Sequence, residues 1–252
     1  MRIESTTRFI PGDDGTKLAV HSVGAGRPVL LLHGLFSSAE MNWIKFGHAA
    51  KLAEAGFEAI MPDLRAHGQS ESPHDPAAYP ADVLVADALA IVAALGLTDY
   101  DLCGFSLGAR TAVKAVIAGL KPRRLVLGGM GLEGLTQWQG RTAHFLEVIE
   151  RFGTIPPGDP LYMPQQFMKS MKVDRDAMRL LLGSVEGSGA GALSAITMPC
   201  AVVCGSEDQD NGSAQGLAAA LPDAVHVAVP GTHMSCVTKP ELGEAIVRFL
   251  LP

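Results

Sequence analysis

The chain has 252 residues, of which 48% are hydrophobic, and this suits one large domain or one domain with an insertion. Its formal net charge is −6 and no basic cluster exceeds Lys121–Arg124, so we expect neither a nucleic-acid nor an anionic-membrane partner. No apolar run reaches the length of a membrane span and the first residues lack the apolar core of a signal peptide, so we expect a soluble, cytoplasmic protein.

The first half of the chain alternates between strand and helix patterns. A turn cluster at 11–15 predicts a β-hairpin over residues 5–23. Hydrophobicity then runs without alternation through Pro28–Leu32, which is typical of a strand covered on both faces in a parallel sheet. The next elements are predicted in the order helix, strand, helix, strand, helix, strand, at 44–55, 57–61, 80–95, 99–103, 107–117 and 124–127. This rhythm indicates βαβ units.

Residues 132–194 break this alternation because they contain no convincing strand. Helices are predicted at 141–152, 164–171 and 174–182. We therefore predict a helical cap over residues 132–194, inserted into a core domain formed by residues 1–131 and 195–252. The apolar side chains of the cap that could line a pocket are Trp138, Phe145, Phe152, Met163, Phe167, Met168, Met171 and Met178. An apolar cap edge could equally form a dimer face, so a homodimer stays open.

The strand–helix alternation resumes after the cap. Strands are predicted at 200–204 and 225–229, and helices at 213–221 and 241–251. The spacing of Cys200 and Cys204 differs from the two-residue spacing of a metal knuckle. We expect all four cysteines to be buried and reduced, with no bound metal; they are Cys103, Cys200, Cys204 and Cys236.

The pentapeptide Gly104–Gly108 carries the strongest functional signal. It has a serine at its centre and joins a predicted buried strand to a predicted helix. A serine on a sharp strand-to-helix turn directs its hydroxyl away from the sheet, beside the free N–H groups of a helix N-terminus. Glycines at both flanks permit this turn because a side chain there would collide with neighbouring backbone. The pattern predicts Ser106 as a nucleophile.

A serine nucleophile needs a base, and the base needs an acid that orients it. His233 follows the predicted strand ending at Val229, which places it at the same sheet edge as Ser106. Asp208 follows another predicted strand, and we choose it as the acid with Asp210 as the reserve. The chain order serine, aspartate, histidine adds specificity to this triad.

The oxyanion of an acyl-transfer reaction needs two hydrogen-bond donors. One predicted donor is the backbone N–H of Leu107, next to the nucleophile at the helix start. The other is the backbone N–H of Leu35, in the loop after His33, with Phe36 as the alternative one position later. His33 is expected to shape this loop.

These segments together resemble the α/β-hydrolase superfamily, in particular its smaller cap-bearing esterases. The matching stretches, in family order, are Leu30–Gly34, Pro62–Ser70, Gly104–Gly108, Gly205–Asp208 and Gly231–His233. The resemblance implies the α/β-hydrolase fold: a mostly parallel eight-stranded sheet with helices on both faces, a helical cap, and no metal or organic cofactor. It also implies that Arg65 and His67 belong to the scaffold. The chain departs from the family pattern at Ala66 and Ala109, where glycine is common.

The first functional hypothesis is a serine carboxylesterase that cleaves small to medium apolar esters through an acyl-enzyme. Candidate pocket residues are Phe36, Met130, Trp138, Phe145, Met168 and Met234. A lactonase, C–C bond hydrolase, perhydrolase or acyltransferase could use the same triad. Serine at the elbow disfavours a dehalogenase or epoxide hydrolase with an aspartate nucleophile. A non-catalytic small-molecule sensor on the same fold is the third hypothesis.

Overall fold

The computed structural model describes residues 5–187 and 189–251. Residues 1–4 and Pro252 of the predicted core domain, and Ser188 of the predicted cap, lie outside the described residues. Eight strands form one sheet in the order β1-β2-β4-β3-β5-β6-β7-β8. The strands are β1 (Thr6–Pro11), β2 (Lys17–Gly24), β3 (Arg27–Leu32), β4 (Phe57–Pro62), β5 (Asp101–Phe105), β6 (Leu125–Gly128), β7 (Cys200–Gly205) and β8 (Ala224–Val229).

Only β2 runs against the other strands of the described sheet. It pairs antiparallel with β1 and with β4, whereas every other neighbouring pair is parallel. The central strands β5, β6 and β7 are buried at every residue, as their unbroken hydrophobic runs require. The predicted eight-stranded, mostly parallel sheet is therefore confirmed.

Helices cover both faces of the sheet. They are α1 (His48–Glu54), α2 (Val83–Ala94), α3 (Leu107–Ile117), α4 (Leu132–Thr136), α5 (Trp138–Glu150), α6 (Tyr162–Ser170), α7 (Arg175–Ser184), α8 (Ala214–Ala220) and α9 (Pro240–Leu250). Because side chains alternate along a strand, Leu30 and Leu32 pack with α2 and α3, and Val29 and Leu31 pack with α1 and α9. None of the described helices has the length and hydropathy needed to cross a bilayer.

The segment between β6 and β7 holds α4 to α7, and its described residues contain no strand. α5 begins at Trp138 rather than at the predicted 141, and the short helix α4 was not predicted. The predicted helix at 44–55 is divided. A π-helical turn at Glu40–Ile44 is followed by α1, and Gly47 between them has a φ of 81° that no regular helix adopts.

Candidate active site

Ser106 occupies a strained turn between β5 and α3. Its φ of 53° and ψ of −113° lie in a region that residues with side chains rarely adopt. The backbone N–H of Ser106 donates a 2.8 Å hydrogen bond to the carbonyl of Gly128 on the adjacent strand, which holds the turn against β6. The serine is 7% exposed. The fold therefore holds a nearly covered serine at the carboxyl edge of the sheet.

The flanking glycines are required by close backbone contacts rather than by a turn angle alone. A Cβ on Gly104 would collide with the carbonyl of Gly108, and a Cβ on Gly108 would collide with the carbonyl of Leu32. Strand β3, strand β5 and helix α3 therefore meet at van der Waals contact beneath the serine. This close approach explains why glycine stands at both positions.

His233 and Asp208 are joined by a hydrogen bond. The Nδ1–H of His233 donates to Oδ2 of Asp208 at 2.9 Å, and the other carboxylate oxygen of Asp208 accepts the N–H of Asp210 at 3.0 Å. Burial raises the pKa of Asp208, but its hydrogen bond and attraction to His233 outweigh burial and leave the pKa below its ordinary value. Asp208 is thus charged at neutral pH and fixes which His233 nitrogen carries the proton.

The His233 ring lies beside the turn that carries Ser106. It packs on the ring of Phe105, the preceding residue, with 5.1 Å between ring centroids. A Cβ on Gly129 would lie 3.0 Å from Cε1 of His233, and Gly129 follows the residue that accepts the Ser106 N–H. The hydrogen bonds of the described residues do not include one between the Ser106 hydroxyl and His233. Such bonds are often loose in free enzymes and tighten on substrate binding.

The loop after β3 also lies against the serine. A Cβ on Gly34 would be 3.5 Å from Cβ of Ser106, and the Gly34 N–H is held by the side chain of Asn42 at 3.1 Å. The N–H of Phe36 donates to Nε2 of His67 at 3.0 Å, so it is already engaged. Among the described residues the N–H of Leu35 has no acceptor. The structure thus favours Leu35 over Phe36 as an oxyanion donor, together with Leu107 at the first position of α3.

Two buried histidines hold this loop by accepting backbone N–H groups. Nε2 of His33 accepts from Leu64 at 2.9 Å and its Nδ1–H donates to Gly34; Nδ1–H of His67 donates to the carbonyl of Arg65 at 2.9 Å. Burial lowers the pKa of His33, and burial lowers the pKa of His67 to about 3. Both rings are neutral at physiological pH, and protonation would abolish the acceptor that each hydrogen bond needs.

The neutral state of His67 predicts a loss of stability in mild acid. An unfolded histidine takes up its proton near pH 6.5 and the folded one only near pH 3, so the unfolded state binds more protons between these values. This histidine alone should lower the free energy of unfolding by about 2 kcal/mol between pH 6.5 and pH 4.5. Urea unfolding of the wild type and of His67→Gln at both pH values measures this contribution of His67 to the free energy of unfolding.

The glutamine variant should lose about 2 kcal/mol less than the wild type over the same pH interval, because its side-chain oxygen still accepts the Phe36 N–H without titrating. The exposed His144 provides the matched control. His144→Gln should keep the wild-type pH dependence. Equal pH dependence in His67→Gln and the wild type would contradict a neutral, buried His67.

Asn211 is a site residue that the sequence did not reveal. Its side-chain N–H donates to the carbonyl of Gly129 at 2.7 Å, and its own carbonyl accepts the N–H of Gly134 at 2.9 Å. These bonds tie the loop that carries Asp208 to the loop after β6. An asparagine in a polar loop is ordinary composition, so nothing in its sequence context distinguishes it.

The predicted pocket residues occupy different environments. Phe36 packs edge-on against Phe145 of α5, with ring centroids 5.4 Å apart, and this contact joins the loop after β3 to the segment between β6 and β7. Met130 and Met168 are fully buried in the core cluster, whereas Met234 is 51% exposed. Trp138 lies at the start of α5, and the guanidinium carbon of Arg110 is 5.3 Å from the centroid of the Trp138 ring.

The carboxylates of Asp208 and Asp210 and the ring of His233 have ligand atoms within 4.8 Å of one another. Such a group has the donor types that a divalent cation accepts. Asp208 and His233, however, are hydrogen-bonded to each other in the arrangement of an orienting acid and a base. A metal would compete with that hydrogen bond for the same atoms.

A family model described as the alpha/beta hydrolase fold matches residues 27–126. Epoxide hydrolase 3 of Siraitia grosvenorii is 38% identical over 97 residues, which cover 38% of this chain and 29% of that protein. The AB hydrolase superfamily protein YisY of Bacillus subtilis is 27% identical over 193 residues, covering 73% of this chain and 70% of that protein. N-formylmaleamate deformylase of Pseudomonas putida is 38% identical over 105 residues, covering 41% of this chain and 37% of that protein.

The chain therefore spans less than two fifths of the epoxide hydrolase and of the deformylase that it matches. Similarity in structure extends much further. An esterase from Exiguobacterium antarcticum superposes with a TM-score of 0.79 over 97% of this chain and 99% of that chain, at 22% sequence identity. At this identity the agreement concerns the fold alone.

Proposed function

We propose that this chain, which has the α/β-hydrolase fold, is a serine hydrolase that cleaves carboxylic esters through an acyl-enzyme. The observation that carries the proposal is the ordered pair of His233 and Asp208, held beside a serine in a strained turn at a helix N-terminus. No metal or organic cofactor takes part in this mechanism.

In the proposed reaction the Ser106 oxygen attacks the ester carbonyl while Nε2 of His233 takes the serine proton. Asp208 keeps the proton of His233 on Nδ1 and stabilises the imidazolium that forms. The N–H groups of Leu35 and Leu107 donate to the oxyanion, and such a donor contributes on the order of 3 kcal/mol to lowering the barrier. The imidazolium then protonates the leaving alcohol, and a water activated by His233 releases the acid.

The substrate is proposed to be a small to medium ester with an apolar acyl chain. Phe36 follows the proposed oxyanion donor Leu35 and contacts Phe145 of α5, so apolar surface adjoins the proposed oxyanion site. The near-complete burial of Ser106 and His233 implies that the cap moves to admit the substrate, a motion common to lids of this kind.

A second candidate is hydrolysis of a different carbonyl bond by the same residues. The similarity to N-formylmaleamate deformylase favours it, because that protein is named for removing a formyl group. Lactonase, C–C bond hydrolase, perhydrolase and acyltransferase chemistry share the same triad. Epoxide hydrolysis by an attacking aspartate does not suit this chain, because Ser106 occupies the elbow.

Labelling with a fluorophosphonate tests the proposed nucleophile directly. We expect one adduct per folded protein, located at Ser106 by peptide mass spectrometry, and none on protein unfolded before labelling. A panel of p-nitrophenyl esters, lactones and formyl amides then separates the first candidate from the second. Folded protein that gives no Ser106 adduct would instead support a non-catalytic sensor.

A further inference from the structure

The inward face of α5 carries polar atoms that no described residue satisfies. Trp138, Arg141 and Thr142 stand at positions i, i+3 and i+4, which share one side of a helix. Trp138 Nε1, Arg141 Nε and Thr142 Oγ1 are buried and have no hydrogen-bond partner among the described residues. Nε of Arg110 on α3 is also buried and has no hydrogen-bond partner among the described residues. Arg110 and Trp138 are only 1% and 2% exposed.

This face contacts three elements that surround the proposed triad: helix α3, the loop that carries Asp208 and the loop after β3. Trp138 covers the guanidinium of Arg110. Arg110 lies one helical turn after Ser106, and its backbone N–H donates to the Ser106 carbonyl at 3.0 Å. Nη1 of Arg141 donates to the carbonyl of Asp210, in the loop that carries the orienting acid. Phe145, one turn further along the same face, contacts the oxyanion loop.

The unsatisfied atoms suit an anion rather than a neutral ligand. Indole and guanidinium N–H groups only donate, and the threonine hydroxyl can also donate. Burial lowers the pKa of Arg141, and the nearby carboxylates of Asp210 and Asp208 attract its charge although neither forms an ion pair with it. Arg110 shares its one carboxylate partner, Asp82, with Lys114. Buried donors without acceptors are costly, and the two oxygens of a carboxylate would accept hydrogen bonds from several of them.

We propose that Arg141, with the polar atoms of Trp138, Thr142 and Arg110, binds a carboxylate of the substrate. The inference rests on the proposed ester hydrolysis and specifies its substrate class: an ester whose apolar acyl chain ends in an acid group, such as a dicarboxylic half-ester. The acyl part is the relevant one because it stays attached to Ser106, next to Arg110, through both halves of the reaction. A bidentate guanidinium–carboxylate contact fixes orientation as well as affinity.

Matched substrates that differ only in the terminal charge provide the test. We expect the wild type to have at least a tenfold higher kcat/KM for p-nitrophenyl hydrogen glutarate or adipate than for p-nitrophenyl pentanoate or hexanoate. Arg141→Met should lower this anionic-to-neutral ratio about 10- to 100-fold, the usual range for a charge-assisted hydrogen bond. Arg141→Lys should retain part of the preference, since lysine keeps the positive charge but cannot form the bidentate contact of a guanidinium with a carboxylate.

Arg179→Met is the control, because Arg179 is an exposed cap arginine on α7. It should leave the ratio at the wild-type value. Circular dichroism and thermal unfolding establish whether each variant is folded. If Arg141→Met does not fold, Thr142→Val replaces it as the test variant. A wild type without anionic preference, or an Arg141 variant that lowers both substrates equally, would show that these atoms only fasten the cap to the core.

Failure of this inference is distinguishable from failure of the proposed function. Ser106-dependent turnover of the neutral esters without any charge preference would overturn the carboxylate subsite alone. Absence of turnover on every ester, together with absence of a Ser106 adduct, would overturn the hydrolase mechanism and with it the subsite.

Discussion

Ser106→Ala is expected to lower kcat/KM for p-nitrophenyl esters by at least about 10⁴-fold, because the variant has no oxygen to attack the carbonyl. Binding and the oxyanion donors Leu35 and Leu107 remain, so a small residual rate above water is consistent with the mechanism. Initial rates with a large enzyme excess measure the loss. A variant that keeps more than about one hundredth of the wild-type rate would rule out Ser106 as the nucleophile.

The loss must be separated from damage to the fold. Ser106 adopts its strained φ of 53° through backbone contacts with Gly128, which alanine keeps, so the variant should unfold within a few degrees of the wild type. Ser37 supplies a matched control, since it is 6% exposed and lies in the oxyanion loop. Ser37→Ala should change the rate by less than about fivefold, because a hydroxyl outside the reacting geometry contributes little.

The sheet and the contact between Asp208 and His233 could be predicted because both depend on local patterns. Unbroken hydrophobic runs identify covered strands, and residues that directly follow such strands must gather at one edge of a parallel sheet. Asp208 and His233 meet for this reason, although 25 positions separate them in the sequence. The glycines around Ser106 also report a local constraint, the contact of α3 with β3 and β5.

The polar character of α5 could not be predicted in the same way. The sequence suggested an apolar pocket, because Trp138 and Phe145 are conspicuous and arginine is usually placed in solvent. Only the position of α5 shows that Arg141 faces the acid loop and that Trp138 covers Arg110. Helix α4 is too short for its periodicity to be recognised. The choice between Leu35 and Phe36 likewise needed His67, which is distant in sequence.

Asp208→Asn is expected to lower kcat by about 10³- to 10⁴-fold through the tautomer of His233. One oxygen of Asp208 accepts the N–H of Asp210, so the amide oxygen of asparagine should keep that bond and turn its NH₂ group toward His233. Nδ1 must then accept, and the ring proton moves to Nε2. A ring protonated at Nε2 cannot take the serine proton, and the lost negative charge no longer stabilises the imidazolium.

Asp210→Asn is the matched control for this prediction, and it also tests the reserve acid. Asp210 contributes its backbone N–H to Asp208 and its backbone carbonyl to Arg141, and asparagine keeps both groups. Its rate should fall by less than about fivefold, since the charge that orients His233 is untouched. Steady-state rates of the two variants on one ester decide the assignment. An Asp210 variant as impaired as the Asp208 variant would mean that both carboxylates support the base, and a stronger effect at Asp210 would exchange their roles.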